Sequence, residues 1–431
     1  MSPDLLTITI DRLAFGGAGV GRHEGKAVFV TGAFPGDTVL ARVEKDKKRH
    51  AEASVAQVIT PSPSRREPLC PHANSCGGCP WISLEYPAQL EWKREIVTEQ
   101  LRRIGKVECF VAPVEPSPLE LGYRSRVRMK MDNDGSAVYL GFRVKGLYGS
   151  MAPVTACPVS NGKVNVILGE LRQYLSTVAG KVKEVYEVEI ETGLPEEKGR
   201  VTLLSFGTVG EEVAPGMLSA CPSVGGVSVK EGRGALKSWG AVELAMEVGL
   251  AEPLKFGPGV FSQVNPAGNL KLVEKVTRFA QLKNYETALD LYCGNGNIAL
   301  PLAMGGADIT GVESGIEAVR YAEINRVRLG IASARFIQGD SAHMATKMAE
   351  EGKRFDVIVL DPPRGGAKGL MPTVARLAGR RVIYVSCDPP SLARDAGDLV
   401  AQGFDLHKAV PVDMFPQTSH VEVVAVFNRL V

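Results

Sequence analysis

No stretch of this 431-residue chain reaches the ~18 consecutive apolar residues of a membrane-spanning helix, so no helical span is expected. The opening MSPDLLTITIDRL lacks the basic and apolar regions of a secretory signal. A dominant charge is missing too. The 50 Lys and Arg stand against 48 Asp and Glu, so affinity for a polyanion has to come from local basic surface. There is no internal repeat or low-complexity segment. No lysine follows the glycine-rich turn near residue 294 as it would in a Walker loop, which disfavours ATP. The expectation is a cytoplasmic globular protein of two or three domains, without membrane attachment. Thiols stay reduced there, so the eight cysteines are expected as ligands, nucleophiles or core residues rather than disulfides.

Residues 1–60 read as short alternating strands with glycine turns, LLTITIDRL through RHAEASVAQVI, which predicts a small closed β-barrel. The basic run EKDKKRH within it is expected at a strand end or hairpin tip. PSPSRREP is a linker by composition. Residues 61–250 read as a mixed α/β unit. Residues 251–431 close the chain with strands alternating with helices: ALDLYC, ADITGVE, ARFIQGD, DVIVLDPP and VIYVSCD. That alternation predicts a Rossmann-like doubly wound sheet.

Three thiols fall together in CPHANSCGGC, where Cys70, Cys76 and Cys79 are spaced C-x5-C-x2-C; Cys157 in ACPV is the candidate fourth ligand. Zinc sites more often show two close pairs, whereas three clustered cysteines and a remote one suit a 4Fe-4S cluster with one thiolate per iron. Cys109, Cys221 and Cys293 are expected as core residues.

In LDLYCGNGN, Gly294 and Gly296 allow close backbone approach at the sheet edge where such folds bind ligands. Glu313 ends the second strand, where an acid can take ribose hydroxyls, and Asp340 ends the third, near an adenine ring. Strand-end acids are often helix caps, which is the alternative for Asp340. A dinucleotide or S-adenosylmethionine remains as cofactor. The fourth and fifth strands deliver Asp361 and Cys387 to the same edge. Because the chain leaves its strand at once into Asp-Pro-Pro, Cys387 reads as a nucleophile rather than a core thiol.

FSQVNP, LDLYCGNGN, GVE, LDPPRGG, VSCDPPSLARD and FPQTSHVE, in that order, resemble the RNA uracil-5-methyltransferase family. The N-terminal strands resemble the TRAM RNA-binding barrel, and the cysteine pattern resembles the iron–sulfur region of the ribosomal RNA (RumA-type) branch. The resemblance implies a class I S-adenosylmethionine-dependent methyltransferase fold, with Gln263, Tyr292, Asn297, Glu313, Asp340 and Asp361 contacting the cofactor. It makes Cys387 the nucleophile and Glu422 the base, and it implies 23S ribosomal RNA as partner, with transfer RNA the alternative. Asp388 departs from the family's usual asparagine, and a carboxylate there could raise the thiol's pKa by repulsion.

The residues support the chemistry independently. C5 of uracil is too weak a nucleophile for a methyl sulfonium until a thiolate adds to C6, and a base must then remove the C5 proton. An amino-methylating enzyme needs no such cysteine, and cytosine-5 enzymes typically carry Pro-Cys where this chain has Asp-Pro-Pro. The same intact set argues against an RNA-binding module without activity; an NAD-dependent oxidoreductase, the weakest rival, differs in the cofactor it binds. In YRSRVRMK, Arg124, Arg126, Arg128 and Lys130 recur at every second position, which on a strand makes a basic ladder suited to phosphates. A monomer acting on single-stranded or loop uridines is expected.

Overall fold

The computed structural model describes residues 5–144 and 149–430. Strands Leu5–Leu13, Gly19–His23, Lys26–Thr31, Thr38–Asp46 and His50–Thr60 form a closed barrel, sealed where the first pairs antiparallel with the fourth. Alternation puts Ile8, Ile10, Val28, Val30, Val39 and Ala41 inside, and the basic run forms the tip between the last two strands.

The second sheet has seven strands, in the order Lys237–Gly240, Val224–Glu231, Gly199–Ser205, Val185–Glu191, Arg126–Asn133, Val138–Arg143 and Met151–Pro153. Helix Gly162–Thr177 covers it through Val164, Ile167, Leu168, Leu171 and Leu175, the 3–4 spacing of one buried helical face. Asn161 caps that helix by accepting from the Val164 amide at 2.8 Å.

The third sheet has eight strands: Ala334–Gln338, Asp308–Glu313, Thr287–Leu291, Phe355–Leu360, Ala378–Ser386, Glu422–Arg429, Phe404–Val412 and Phe110–Val111. The first five are parallel, and Glu422–Arg429 runs antiparallel between its neighbours. Strand order reverses on either side of Thr287–Leu291, so the crevice at its carboxyl end and that of Phe355–Leu360 is the place for a ligand.

Residues 86–111, read from sequence as part of the central unit, pack into this third core. Val97, Leu101, Val107 and Val111 join Leu360, Tyr384, Leu392 and Ala396 in one cluster, and Phe110–Val111 forms the sheet's outer strand. Helix Tyr86–Gln100 also brings Lys93 against the loop before Glu422. Both Lys93 and Asp413 are fully buried, and the ammonium donates to Asp413 Oδ1 at 2.6 Å and to the Phe415 carbonyl at 3.1 Å. Removing one partner of such a pair strands a buried charge, at a cost of about 3–5 kcal/mol, whereas replacing both with apolar groups can be close to neutral. Urea unfolding should therefore show a loss of that size for Lys93→Met, largely recovered by Lys93→Met with Asp413→Leu. A double variant as unstable as the single one would show that the pair does not govern this interface.

Candidate active site

The strand Thr287–Leu291 ends in a tight turn whose first residue, Tyr292, has φ +66°. That left-handed conformation is costly for a bulky residue and is held by two hydrogen bonds from its amide, to the Val312 carbonyl at 2.9 Å and to Ser341 Oγ at 3.1 Å. Gly296 follows at φ +90°, where a Cβ would meet Leu300 Cδ1 at 2.7 Å, so only glycine fits. Glu313 braces the turn: it accepts from the Gly294 amide at 3.2 Å and from the Gly315 amide at 2.7 Å. Asn297 is fixed by a reciprocal amide pair with Asn269, at 2.8 and 3.0 Å.

These elements enclose a cavity of about 410 Å³ whose lining includes Gln263, Asp290, Tyr292, Gly294, Asn297 and Asp361. Glu313 and Asp340 stand outside the lining. Asp340 caps the helix Ser341–Glu350 by accepting from the His343 amide at 2.8 Å, the helix-cap alternative that the sequence left open. Asp290 was missed by sequence reasoning, although an acid in the middle of an apolar strand was the available signal. Both its carboxylate oxygens are buried without a hydrogen-bond partner, and burial, with Asp361 adding repulsion, pushes its pKa well up.

Cys387, Glu422 and Asp361 meet at the same edge. Burial, then the carboxylates of Glu422 and Asp361, push the Cys387 thiol up to about 12, while the Arg364 guanidinium opposes them. Arg364, quoted within LDPPRGG but given no role there, is thus the cation of the site. Asp388 turns away from the thiol to cap helix Pro389–Val400, accepting from the Ser391 amide at 3.0 Å and from its hydroxyl at 2.5 Å. Glu422 is buried with Oε2 unpartnered, and burial followed by Asp361 drives its pKa well above the usual carboxylate range. Burial lifts Asp361 to about 7. Two carboxyls and a thiol sharing this buried edge cannot all ionise cheaply.

The loop leading to Glu422 is gripped on several sides. Gln417, buried at φ +69°, accepts on Oε1 from Arg66 at 2.9 Å and from Gln89 at 3.0 Å, and donates its amide to Gln89 Oε1 at 2.8 Å. Its carbonyl accepts from the Trp81 amide at 3.0 Å, and the Tyr123 hydroxyl donates to the Pro416 carbonyl at 3.0 Å. The barrel reaches the same loop at Gly17, where a Cβ would lie 2.9 Å from Ser419 Cβ. A second buried network holds the FSQVNP segment. Arg200 pairs with Glu191, which also accepts from the Ser262 hydroxyl at 2.6 Å, and the Ser125 amide donates to the Val264 carbonyl at 2.8 Å.

Cys70, Cys76, Cys79 and Cys157 line one cavity together with Arg124, and none forms a disulfide. Among the described residues, no group of three His, Cys, Asp or Glu side chains is arranged to hold a metal ion. Cys221 and Cys293 are buried in the core, and Cys109 packs against it. The basic ladder divides. Arg126, Arg128 and Lys130 lie on one strand, each opposite an acid of the next, Glu191, Glu189 and Glu187. Arg128 bonds Glu189 at 2.8 Å and Lys130 bonds Glu187 at 2.7 Å. Arg124 precedes the strand, and its Nε is buried and unpartnered at the cysteine cavity.

Residues 252–430 match the tRNA (uracil-5-)-methyltransferase family model and residues 4–56 match the TRAM domain. The 23S rRNA (uracil(1939)-C(5))-methyltransferase RlmD of Aeromonas hydrophila is 34% identical, over 99% of this chain and 97% of that protein. This chain belongs to the RNA uracil-5-methyltransferase family. RlmD of Vibrio parahaemolyticus is 32% identical over 98% of this chain and 95% of its own. Among solved structures, the Pyrococcus abyssi tRNA (uracil-54, C5)-methyltransferase with S-adenosyl-L-homocysteine shares the fold, with TM-score 0.76 at 24% identity, covering 98% of this chain and 100% of that one.

Family membership makes the raised carboxyl pKa values testable. An acid whose folded pKa exceeds its unfolded value, about 4.3 for Glu, contributes stability that is complete below the unfolded value. That contribution is lost as pH rises through the folded one. Glu422→Gln should therefore be more stable than the parent by a margin that widens from about pH 4.5 upward, read as a growing difference in melting temperature. A margin constant with pH would mean that Glu422 ionises freely in the folded protein.

Proposed function

We propose that this enzyme methylates C5 of a uridine in RNA, with 23S ribosomal RNA as the substrate class, through a covalent adduct between Cys387 and C6. The convergence of Cys387 and Glu422 on Asp361, which lines the cavity proposed for the cofactor, carries this reading, and the full-length similarity to RlmD proteins supports the RNA class. S-adenosylmethionine, when bound, supplies an electrophilic methyl group. Gln263, Tyr292, Gly294, Asn297 and Asp361 would hold it with Glu313 and Asp340 behind them, and the partnerless oxygens of Asp290 suit a cofactor ammonium. Cys387, its proton released to solvent and its anion held by Arg364, forms the S–C6 bond, and the C5–C6 π pair moves onto C5 as part of an enolate. C5 would take the methyl group, with the sulfur–methyl bonding pair left on the cofactor sulfur; Glu422 then removes the C5 proton, and the released pair restores C5–C6 as the thiolate leaves.

Arg364 stabilises both anions of this sequence, the thiolate and the Glu422 carboxylate. Cysteine and carboxylate have separable roles. Cys387→Ala should bind RNA and transfer no methyl group. Glu422→Gln should transfer the methyl group and then stall, leaving a slow, methyl-labelled protein–RNA band on a denaturing gel, absent when both residues are changed. Normal turnover by Glu422→Gln would remove it from the mechanism.

The barrel, residues 1–60, and the central unit, residues 61–250, would present the RNA to the catalytic unit, residues 251–431. The enzyme would act as a cytoplasmic monomer. Arg124, Arg126, Arg128 and Lys130 are the proposed phosphate contacts, although the last three must exchange glutamate partners for phosphate. Cys70, Cys76, Cys79 and Cys157 would hold a 4Fe-4S cluster. Four thiols spaced around one cavity, rather than converging on a point, suit one thiolate per iron, and the unpartnered Nε of Arg124 suits an anionic group. Protein purified without oxygen should contain about four irons per chain. A single zinc without iron would overturn the cluster.

A further inference from the structure

Resting on RNA as the substrate, we propose that a cationic groove at the outer edge of the catalytic sheet is a second RNA contact, taking a single-stranded segment that flanks the target. The groove lies between helix Pro266–Ala280, strand Phe404–Val412 and the outer strand Phe110–Val111, and encloses about 880 Å³. It is separate from the reactive edge. Lys408 pairs with Val426, four residues along its strand from Glu422, a separation of about 13 Å.

Its charges are not balanced. Lys275, Arg278 and Lys408 line it, and Glu115 is the single acid among the described lining residues. That acid is taken by Lys275 at 2.6 Å. Arg278 and Lys408 have no carboxylate partner among the described residues; Lys408 instead lies over the Phe279 ring, 3.9 Å from its centroid. Arg381 beside them bonds only neutral groups: Asn428 Oδ1 at 2.9 Å, Gln281 Oε1 at 2.7 Å and the Phe279 carbonyl at 2.6 Å. Burial, then Arg278, Arg381 and Lys275, depress the Lys408 ammonium, and no carboxylate offsets them.

Cations held together against their own repulsion gain most from an anion with several charges in a row. An RNA backbone supplies that, and its bound counterions are released as it docks. The aromatic component argues for a single strand. Phe110 is 63% exposed at the rim of this cluster, where a base can stack on its face. An acidic polypeptide would use the cations and leave that ring idle.

The test compares two RNAs with Lys408→Gln combined with Arg278→Gln, and separately with Phe110→Ala. On a ribosomal RNA fragment long enough to extend beyond the target loop, the double variant should bind about tenfold more weakly, with a salt slope reduced by roughly two. Phe110→Ala should weaken the same complex with its salt slope intact. On a short hairpin holding only the target, kcat and KM should match the parent. Unchanged affinity for the long RNA would overturn the proposal, as would equal losses on both RNAs. Binding of poly-glutamate by the parent but not the double variant, with long-RNA affinity unchanged, would make the groove a protein site instead. If the parent methylated no uridine while the long-RNA difference persisted, the activity reading would fail and the groove would stand.

Discussion

The proposed general base, Glu422, is only as well placed as the loop in front of it, and that loop starts from one buried ion pair. Lys93 and Asp413 are both removed from water, and the same ammonium also fixes the Phe415 carbonyl. Desolvating two charges gives little net stability, so the return is geometric. The pair sets where residues 413–421 leave strand Phe404–Val412 and where Glu422 begins the next. Gln417 then locks the middle of the loop to Gln89 and Arg66. Helix Tyr86–Gln100 therefore acts as the backstop of Glu422, the proposed base, more than 300 positions away in the chain.

This arrangement also ties the cysteine region to the active site. Trp81, two residues after Cys79, is fully buried; its amide bonds Gln417, its indole bonds the Gly17 carbonyl at 3.2 Å, and its ring lies near the Lys93 ammonium. A segment held at residues 70–79 therefore supports the barrel loop and the base loop together. The proposed cluster in the cysteine cavity would thereby organise the fold, with no electron transfer required of it.

What was legible in the sequence was local. The parallel strands announced themselves by apolar runs followed by glycine or Asp-Pro, and Cys387 stood out because its strand stops at once. The barrel was readable from alternation. The chain signals were weaker where residues distant in sequence meet. Nothing near Lys93 marks Asp413 as its partner, and a lysine on a helix ordinarily faces solvent. The outer strand Phe110–Val111 is too short to show a period, so its membership of the catalytic sheet could not be seen. The basic ladder was legible as a strand face, but the facing acids were not, because register with Val185–Glu191 is a tertiary fact.

That register changes how the ladder can work. Each of Arg126, Arg128 and Lys130 already has a carboxylate opposite, so an arriving phosphate exchanges partners instead of neutralising free charge, and the net gain per contact is small. Exchange nevertheless favours recognition over adhesion. Binding is rewarded only where the backbone fits the spacing of the rungs and the displaced glutamates can return to water. A surface with a net charge of +2 over the whole chain cannot hold RNA by bulk attraction, so selectivity has to come from such fitted sites. The uncompensated cations proposed beside Lys408 would then differ in kind from the proposed ladder: they would attract, whereas the ladder would discriminate.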